Sequence, residues 1–138
     1  MIRSSWCIVI AGLLLLTTAC GDSAPGQSGP QRIEGTVLYR ERMMLPPGAE
    51  MSVQLEDISR PDAMAEVLAV VSSALDGAPP YAFTLDYGKV GVVSGRRYAL
   101  RANIAVDGQV WFTSTDYIDP FGESPLEILV RRVPGQSP

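Results

Sequence analysis

Apolar side chains recur at every second position in several short runs of this chain, and turns rich in Gly and Pro separate the runs. Three plain examples are the runs that begin at Met51, Tyr81 and Tyr98. A period of two places successive side chains on opposite faces of a strand, so each run predicts a strand with one buried face. About seven runs follow Arg32, and no helical segments alternate with them. The pattern therefore predicts an all-β fold, a small antiparallel β-sandwich of about seven strands.

The segment from Asp62 to Leu75 fits two patterns. Its apolar residues match a helical i, i+3, i+4 spacing about as well as they match a strand. Val67, Val70 and Val71 argue against a helix, because β-branched side chains lose rotamer freedom there. The pattern alone leaves helix and strand equally supported.

Asp107-Gly108 is the clearest hairpin motif in the chain. A two-residue type I′ turn needs positive φ at both central positions, and this dipeptide supplies them. Such a turn predicts Val106 opposite Gln109 and Ile104 opposite Trp111, which makes Trp111 a core residue.

The same register predicts an outward face that carries Asn103, Val110 and Phe112. An exposed apolar pair indicates either a second packed layer, which we favour, or a partner site. These three residues are the candidate partner surface.

The first nineteen residues have the features of a secretory signal. Arg3 lies in a short basic region, and Trp6–Leu16 is an uncharged, mostly apolar run of eleven residues. A helix that crosses a bilayer needs about 20 apolar residues, so the run predicts a cleaved leader and not a permanent span.

Residues 16–20, Leu-Thr-Thr-Ala-Cys, resemble a bacterial lipobox. The resemblance implies that Cys20 is the lipidated first residue of the mature chain. Gly21 follows it where Asp would imply retention at the inner membrane, so the resemblance also implies transport to the outer membrane, with the domain facing the periplasm.

The chain therefore divides into four predicted parts. They are a lipoprotein signal peptide (1–19), the lipidated Cys with a flexible linker (20–30), a β-sandwich domain (31–133) and a disordered tail (134–138). The linker is rich in Gly, Ser and Pro and lacks a large apolar residue, which is typical of a tether.

Charge and composition exclude several functions. Only Arg3 of the eleven basic residues lies in the leader, so the remaining chain carries ten basic against fifteen acidic side chains, a net charge near −5. This balance argues against nucleic acid as a partner and against electrostatic docking to anionic lipid.

Histidine is absent, and both cysteines belong to the leader or the lipid site. Histidine-based zinc sites and nucleophiles activated by histidine therefore cannot form. Asp116, Asp119 and Glu123 share a loop that could bind Ca²⁺, but their spacing matches no EF-hand and solvated carboxylates explain them better. We predict a non-enzymatic protein with no cofactor, metal or catalytic residue.

Three segments carry a likeness to a known family: residues 35–59, residues 83–87 and residues 98–117. Together they resemble the YbaY/YscW family of bacterial outer-membrane lipoproteins, over nearly the whole of residues 33–133. The resemblance implies a compact β-sandwich on a lipid anchor and favours a strand over residues 66–74. One branch of that family consists of pilotins, which help a secretin reach the outer membrane.

Two hypotheses for function follow. The first is a lipid-anchored, non-enzymatic protein that binds or chaperones an envelope protein such as a secretin, through a groove or an unpaired edge strand. The alternative is a carbohydrate-binding module for surface polysaccharide or peptidoglycan, with sugar rings stacked on Tyr81, Tyr87, Phe112 and Tyr117. The alternative requires at least two of these rings to be exposed and coplanar.

Overall fold

The computed structural model describes residues 31–136, which form seven strands. The strands are β1 (Arg32–Leu38), β2 (Ala49–Asp57), β3 (Glu66–Ala74), β4 (Tyr81–Asp86), β5 (Tyr98–Val106), β6 (Gln109–Ser114) and β7 (Leu126–Arg132). Among these residues we find no helix with the length and apolar character needed to span a bilayer. The all-β, seven-strand prediction is confirmed, and the ambiguous segment forms strand β3.

The strands pair in the order β3-β2-β5-β6-β7-β1-β4. Every pairing is antiparallel except that of β1 with β7, which is parallel because both strands start at the same end of the molecule. The sheet curls until its two outer strands, β3 and β4, approach within 8 Å between Cα atoms. The result is a single, nearly closed barrel-like sheet around one core.

The inward faces of six strands fill this core. The side chains most completely removed from solvent are Phe112, Met51, Leu55, Leu85, Ile104, Ile128, Val37, Val53 and Val130. Burying each of these apolar side chains contributes roughly 1.5–3 kcal/mol. Strand β3 contributes only partly buried residues, chiefly Leu68, Ala69 and Val71, so it covers the core from the edge.

The β5–β6 hairpin contains the predicted turn and an unpredicted bulge. Asp107 and Gly108 have φ of 50° and 79°, and Val106 lies opposite Gln109, which confirms the type I′ turn. Beyond Ala105 the register shifts, so that Ile104 lies opposite Phe112 and not opposite Trp111. Strand β6 therefore carries one extra residue at this point, which is a β-bulge.

The bulge corrects one prediction about the outward face. Because an extra residue interrupts the alternation, Trp111 and Phe112 both turn inward, with 6% and 0% of their surfaces exposed. The prediction of Trp111 in the core is confirmed. The prediction that Phe112 lies on an outward surface is wrong, because its ring stacks on Tyr39 inside the core, with 4.9 Å between ring centroids.

Three loops and the N-terminal entry of the domain lie at one end of the sheet, which we call the tether end. Gln31 leads into β1 there and accepts a hydrogen bond from Tyr87 N–H, 2.9 Å. The loops are residues 58–65, 87–97 and 115–125. The Asp107-Gly108 hairpin and the loop of residues 75–80 lie at the opposite end.

The described chain continues past β7 in a turn. Arg132 donates to the carbonyl oxygen of Gln136 through Nε and Nη2, at 3.1 and 2.9 Å. The guanidinium therefore bonds this turn back to the end of β7, and the disordered tail over residues 134–138 stays a prediction.

Candidate partner-binding site at the open seam

The nearly closed sheet has one open boundary, between β3 and β4, which we call the seam. In the described part of the chain, β3 pairs only with β2 and β4 pairs only with β1. Each strand therefore has one edge of backbone N–H and C=O groups outside any ladder. Such an edge can pair with an added strand.

The hydrogen-bond alternation shows which groups of β3 face the seam. Leu75 donates its N–H to the Ala49 carbonyl, 2.9 Å, at the position that extends the β2–β3 register. In an antiparallel ladder, backbone groups point toward the partner at every second residue. Ser73 and Val71 therefore bond to β2, whereas Ser72 and Val70 present their N–H and C=O groups to the seam.

The same reasoning applies to β4. Tyr87 donates to Gln31, 2.9 Å, in the register that pairs β4 with β1. The alternation then directs the backbone groups of Ala82, Thr84 and Asp86 away from β1, toward the seam. Their side chains are exposed, and no described strand forms a ladder with this edge.

A groove of about 370 Å³ opens between the two edges near the tether end. It is lined by Leu68, Ala69, Val70, Asp86, Lys89 and Val90. Four of its six lining residues are apolar, and the other two are a carboxylate and the only lysine of the chain. Val70 and Asp86 also carry seam-facing backbone groups, so the groove combines an apolar surface with free ladder positions from both strands.

Local sequence explains why β4 ends at the groove. Asp86 Oδ1 accepts a hydrogen bond from Gly88 N–H, 2.9 Å, which turns the chain away from the sheet. Asp86 Oδ2 also lies 3.7 Å from Arg32 Nε of β1. The turn leads directly into loop 87–97.

Local sequence also explains why β3 and β4, although consecutive, do not form a ladder with each other. Pro79 and Pro80 in the connecting loop have no N–H to donate, so a tight hairpin cannot start there. Gly77 adopts a φ of 76°, and its carbonyl accepts a hydrogen bond from the Tyr81 hydroxyl, 2.9 Å. Burial raises the pKa of Tyr81 above its usual range, so the hydroxyl remains a donor at any physiological pH.

A second polar cluster fixes two tether-end loops to each other. Asp57 accepts hydrogen bonds from Arg96 Nη1, 2.8 Å, and from Ser59 N–H, 2.9 Å. Arg97 N–H donates to Ser59 Oγ, 2.9 Å. The bonds from Ser59 and the Arg96 guanidinium lower the pKa of Asp57 to about 2, so the carboxylate stays ionised and the cluster stays intact at neutral pH.

The structure separates the residues that the sequence placed on a candidate partner surface. Val110 is 41% exposed, whereas Phe112 is in the core. Asn103 is partly buried, and its Oδ1 accepts a hydrogen bond from Thr113 Oγ1, 2.7 Å. These three residues do not form one surface. Cys20, the predicted lipid site, lies outside the described residues.

The rings proposed for sugar stacking do not form a platform. Tyr81 and Phe112 are buried and Tyr87 is half-buried, so only Tyr117 is well exposed. The carbohydrate hypothesis required two of these rings to be exposed and coplanar, and the structure does not provide that platform.

Two of the three acidic loop residues have partners within the described chain. Asp116 Oδ2 lies 3.8 Å from Arg131 Nη2, and Asp119 Oδ1 accepts a hydrogen bond from Phe121 N–H, 3.0 Å. Across residues 31–136 no three acidic or thiol side chains group closely enough to hold a metal ion.

Sequence reasoning named an edge strand in general but missed the seam residues Val70, Ser72 and Thr84. One feature could have indicated them. The Pro79-Pro80 pair between two strand patterns predicts that these strands are not a tight hairpin, so each has an open edge.

The comparisons with known proteins agree with this architecture. Residues 28–120 match the family model described as type III secretion system lipoprotein chaperone (YscW). An alternative pilotin from the type II secretion system of Vibrio cholerae has a similar structure, with a TM-score of 0.65 and 31% sequence identity, over 75% of this chain and 98% of that chain.

A relative in Escherichia coli strain K12, described as the uncharacterized lipoprotein YbaY, is 35% identical over 89 residues. The match covers 64% of this chain and 46% of that protein, so this chain spans about half the length of that relative. Because the family model covers about two-thirds of this chain, the chain belongs to the YscW family of type III secretion system lipoprotein chaperones.

Proposed function

We propose that this protein is a lipid-anchored, non-enzymatic chaperone of the cell envelope, and that it binds an outer-membrane secretion protein of the secretin class. The family and the structural likeness to a pilotin support a chaperone of this kind. The seam supports binding by strand addition, because its two strand edges face each other across the groove.

The client binds by strand addition. An extended client segment pairs with the free groups of Val70 and Ser72 on one side and with those of Thr84 and Asp86 on the other. Each backbone hydrogen bond contributes about 0.5–1.5 kcal/mol net, so a few bonds give a reversible complex. A reversible complex suits a chaperone, which must release its client.

The width of the seam determines where binding begins. A strand seated between β3 and β4 needs about 9.6 Å between them, twice the usual strand spacing. The two strands already come within 8 Å of each other. The client therefore pairs first at the groove, where the strands leave space, and widens the seam as it advances.

Site-specific photocrosslinking in living cells tests the site. A photoreactive amino acid is placed at Ser72 or at Ala82, which are exposed positions on the two seam strands. The control is Val110, which is exposed at the opposite end of the sheet and belonged to the surface predicted from the sequence. We expect one outer-membrane protein crosslinked from both seam positions and none from Val110, with mass spectrometry identifying the client.

Three results would count against the proposal. Crosslinking of the client from Val110 alone would move the site away from the seam. Crosslinking of the protein to itself would make the seam a homodimer interface. If no protein were crosslinked from any of the three positions, the proposed chaperone role would be contradicted.

A further inference from the structure

Exposed large apolar side chains are concentrated at the tether end. Six of them belong to its three loops or to the start of β3: Met64, Val67, Val92, Val93, Tyr117 and Phe121. The opposite end exposes only Met44 and Val110 among the described residues. Exposed apolar side chains that gather on one surface are found at sites that contact a protein or a membrane.

The length of the tether relates this end to the membrane. Ten residues separate Cys20 from Gln31, and a flexible coil of that length spans roughly 17–19 Å. A nine-residue strand such as β5 is about 30 Å long. Because Gln31 is bonded to Tyr87 at the tether end, a lipid at Cys20 holds this end close to the bilayer and keeps the opposite end away.

One of the three loops has a charge that suits a phospholipid surface. Loop 87–97 contains Lys89, Arg96 and Arg97 and no acidic residue. Loop 58–65 contains one basic and one acidic residue, Arg60 and Asp62, and loop 115–125 contains three carboxylates and no basic residue. In a chain whose net charge is negative, loop 87–97 is therefore a local basic exception.

The same loop presents its apolar residues on a fixed base. Val92 and Val93 lie in its middle, 38% and 52% exposed. The loop is held by the Arg96–Asp57 contact, 2.8 Å, and by the bond from Val93 N–H to the Tyr98 hydroxyl, 2.9 Å. A fixed loop loses little conformational entropy when it binds a surface.

From these observations we infer that loop 87–97 rests on the phospholipid bilayer to which Cys20 is anchored. Val92 and Val93 enter the headgroup region, and Lys89 and Arg97 extend their ammonium and guanidinium groups to lipid phosphates. This contact fixes the orientation of the domain, with the groove opening beside the membrane surface. The inference rests on the lipid anchor and does not depend on the identity of the client.

Fluorescence of a single labelled cysteine tests this contact. In the lipidated mature chain the thiol of Cys20 is blocked, so Val93→Cys provides the only free thiol and takes an environment-sensitive dye. The protein is placed in vesicles of phosphatidylethanolamine and phosphatidylglycerol, some containing lipids with a quencher on the upper acyl chain. Val110→Cys is the matched control, since it is also a partly exposed valine but lies at the opposite end.

We expect a blue-shifted emission and lipid-dependent quenching for the dye at residue 93, and neither effect at residue 110. Emission typical of water at residue 93, with quenching no greater than at residue 110, would overturn the inference. Equal quenching at both positions would also overturn it, because the domain would then have no preferred orientation. Mass spectrometry of the protein from cells that finds no lipid on Cys20 would also overturn the inference, because the inference rests on that anchor. The vesicles contain no client, so failure here is distinct from failure of the proposed chaperone function.

Discussion

Gly35 of β1 lies where the parallel strand β7 passes closest. A Cβ atom at this position would collide with the backbone oxygen of Leu126 and would lie 3.0 Å from Leu126 Cβ and from Phe83 Cε1. Because the obstacle includes backbone, a side chain cannot be accommodated by a rotamer change.

We therefore expect Gly35→Ala to lower the free energy of unfolding by about 1–3 kcal/mol, as overpacking usually does. Chemical denaturation measures the change. Gly91→Ala is the control, since a Cβ atom there meets nothing within 4 Å. If both variants were equally stable, the close β1–β7 approach would be wrong.

Asp57 makes the stability of the fold depend on pH in the acidic range. Its pKa is lowered to about 2 in the folded protein and is about 3.9 in an unfolded chain. Because the pKa is lowered on folding, the ionised Asp57 carboxylate adds to the free energy of unfolding. This contribution is fully present above about pH 5 and is lost as the pH falls toward 2. We expect Asp57→Asn to lower Tm at pH 7 and to have a flatter Tm profile between pH 5 and pH 2.

A matched control separates this effect from a general loss of charge. Asp107→Asn removes a carboxylate at the opposite end and keeps a residue that tolerates the positive φ of the turn. Its Tm profile should keep the acid slope of the unsubstituted protein. An Asp57→Asn profile as steep as that of the unsubstituted protein would argue against the Asp57–Arg96 cluster.

At the scale of elements, the bulge in β6 separates two side chains that strict alternation would place on the same face: Phe112 turns inward and Val110 stays outward. Phe112→Ala should cost about 3–5 kcal/mol of stability, because the ring is fully buried. Val110→Ala should change stability by less than about 1 kcal/mol, because Val110 is partly exposed. Equilibrium unfolding of the two variants checks the register, and similar costs for both would favour an unbulged hairpin.

The edge assignment of β3 leads to a prediction about two adjacent serines. Ser72→Pro removes an N–H that faces the seam, so the ladder with β2 stays intact and stability changes little. Ser73→Pro removes an N–H that bonds to Met51 of β2, which should cost about 1–3 kcal/mol.

The two proline variants also separate binding from stability. Once the client is identified by crosslinking, Ser72→Pro should weaken the complex between the domain and the client, although the domain remains folded. Thermal melting and a pull-down of the client measure the two effects. If Ser72→Pro were the more destabilising of the pair, the assignment of seam-facing groups would be reversed.

At the scale of the whole molecule, the predicted lipidation of Cys20 bears on where the protein is held in the cell. We expect Cys20→Ser to leave a protein that is secreted and folded but released from the membrane on cell fractionation. One added acyl chain binds a membrane only marginally, whereas several hold it stably. Membrane retention of the variant at the level of the unsubstituted protein would contradict lipidation at this residue.

Much of the fold could be predicted from local pattern, and the site could not. The strand over residues 66–74, the turn at Asp107-Gly108 and the core position of Trp111 all follow from the residues or from family resemblance. The wrong placement of Phe112 arose from assuming strict alternation beyond the turn. A bulge depends on packing across the barrel-like sheet, and a period-two pattern does not contain that information.

The sequence by itself determined the strands, most of their turns and the absence of histidine chemistry, and it predicts a leader and a tether before the domain. Those features depend on residues close together in the chain, or on the presence of a residue type. The tertiary structure alone decided which strands are edges, that β3 and β4 face each other, and that six apolar side chains gather at the tether end. These features arise from pairings between distant segments, such as β2 with β5 and β1 with β7, because closure of the sheet selects the two strands that are left without a partner.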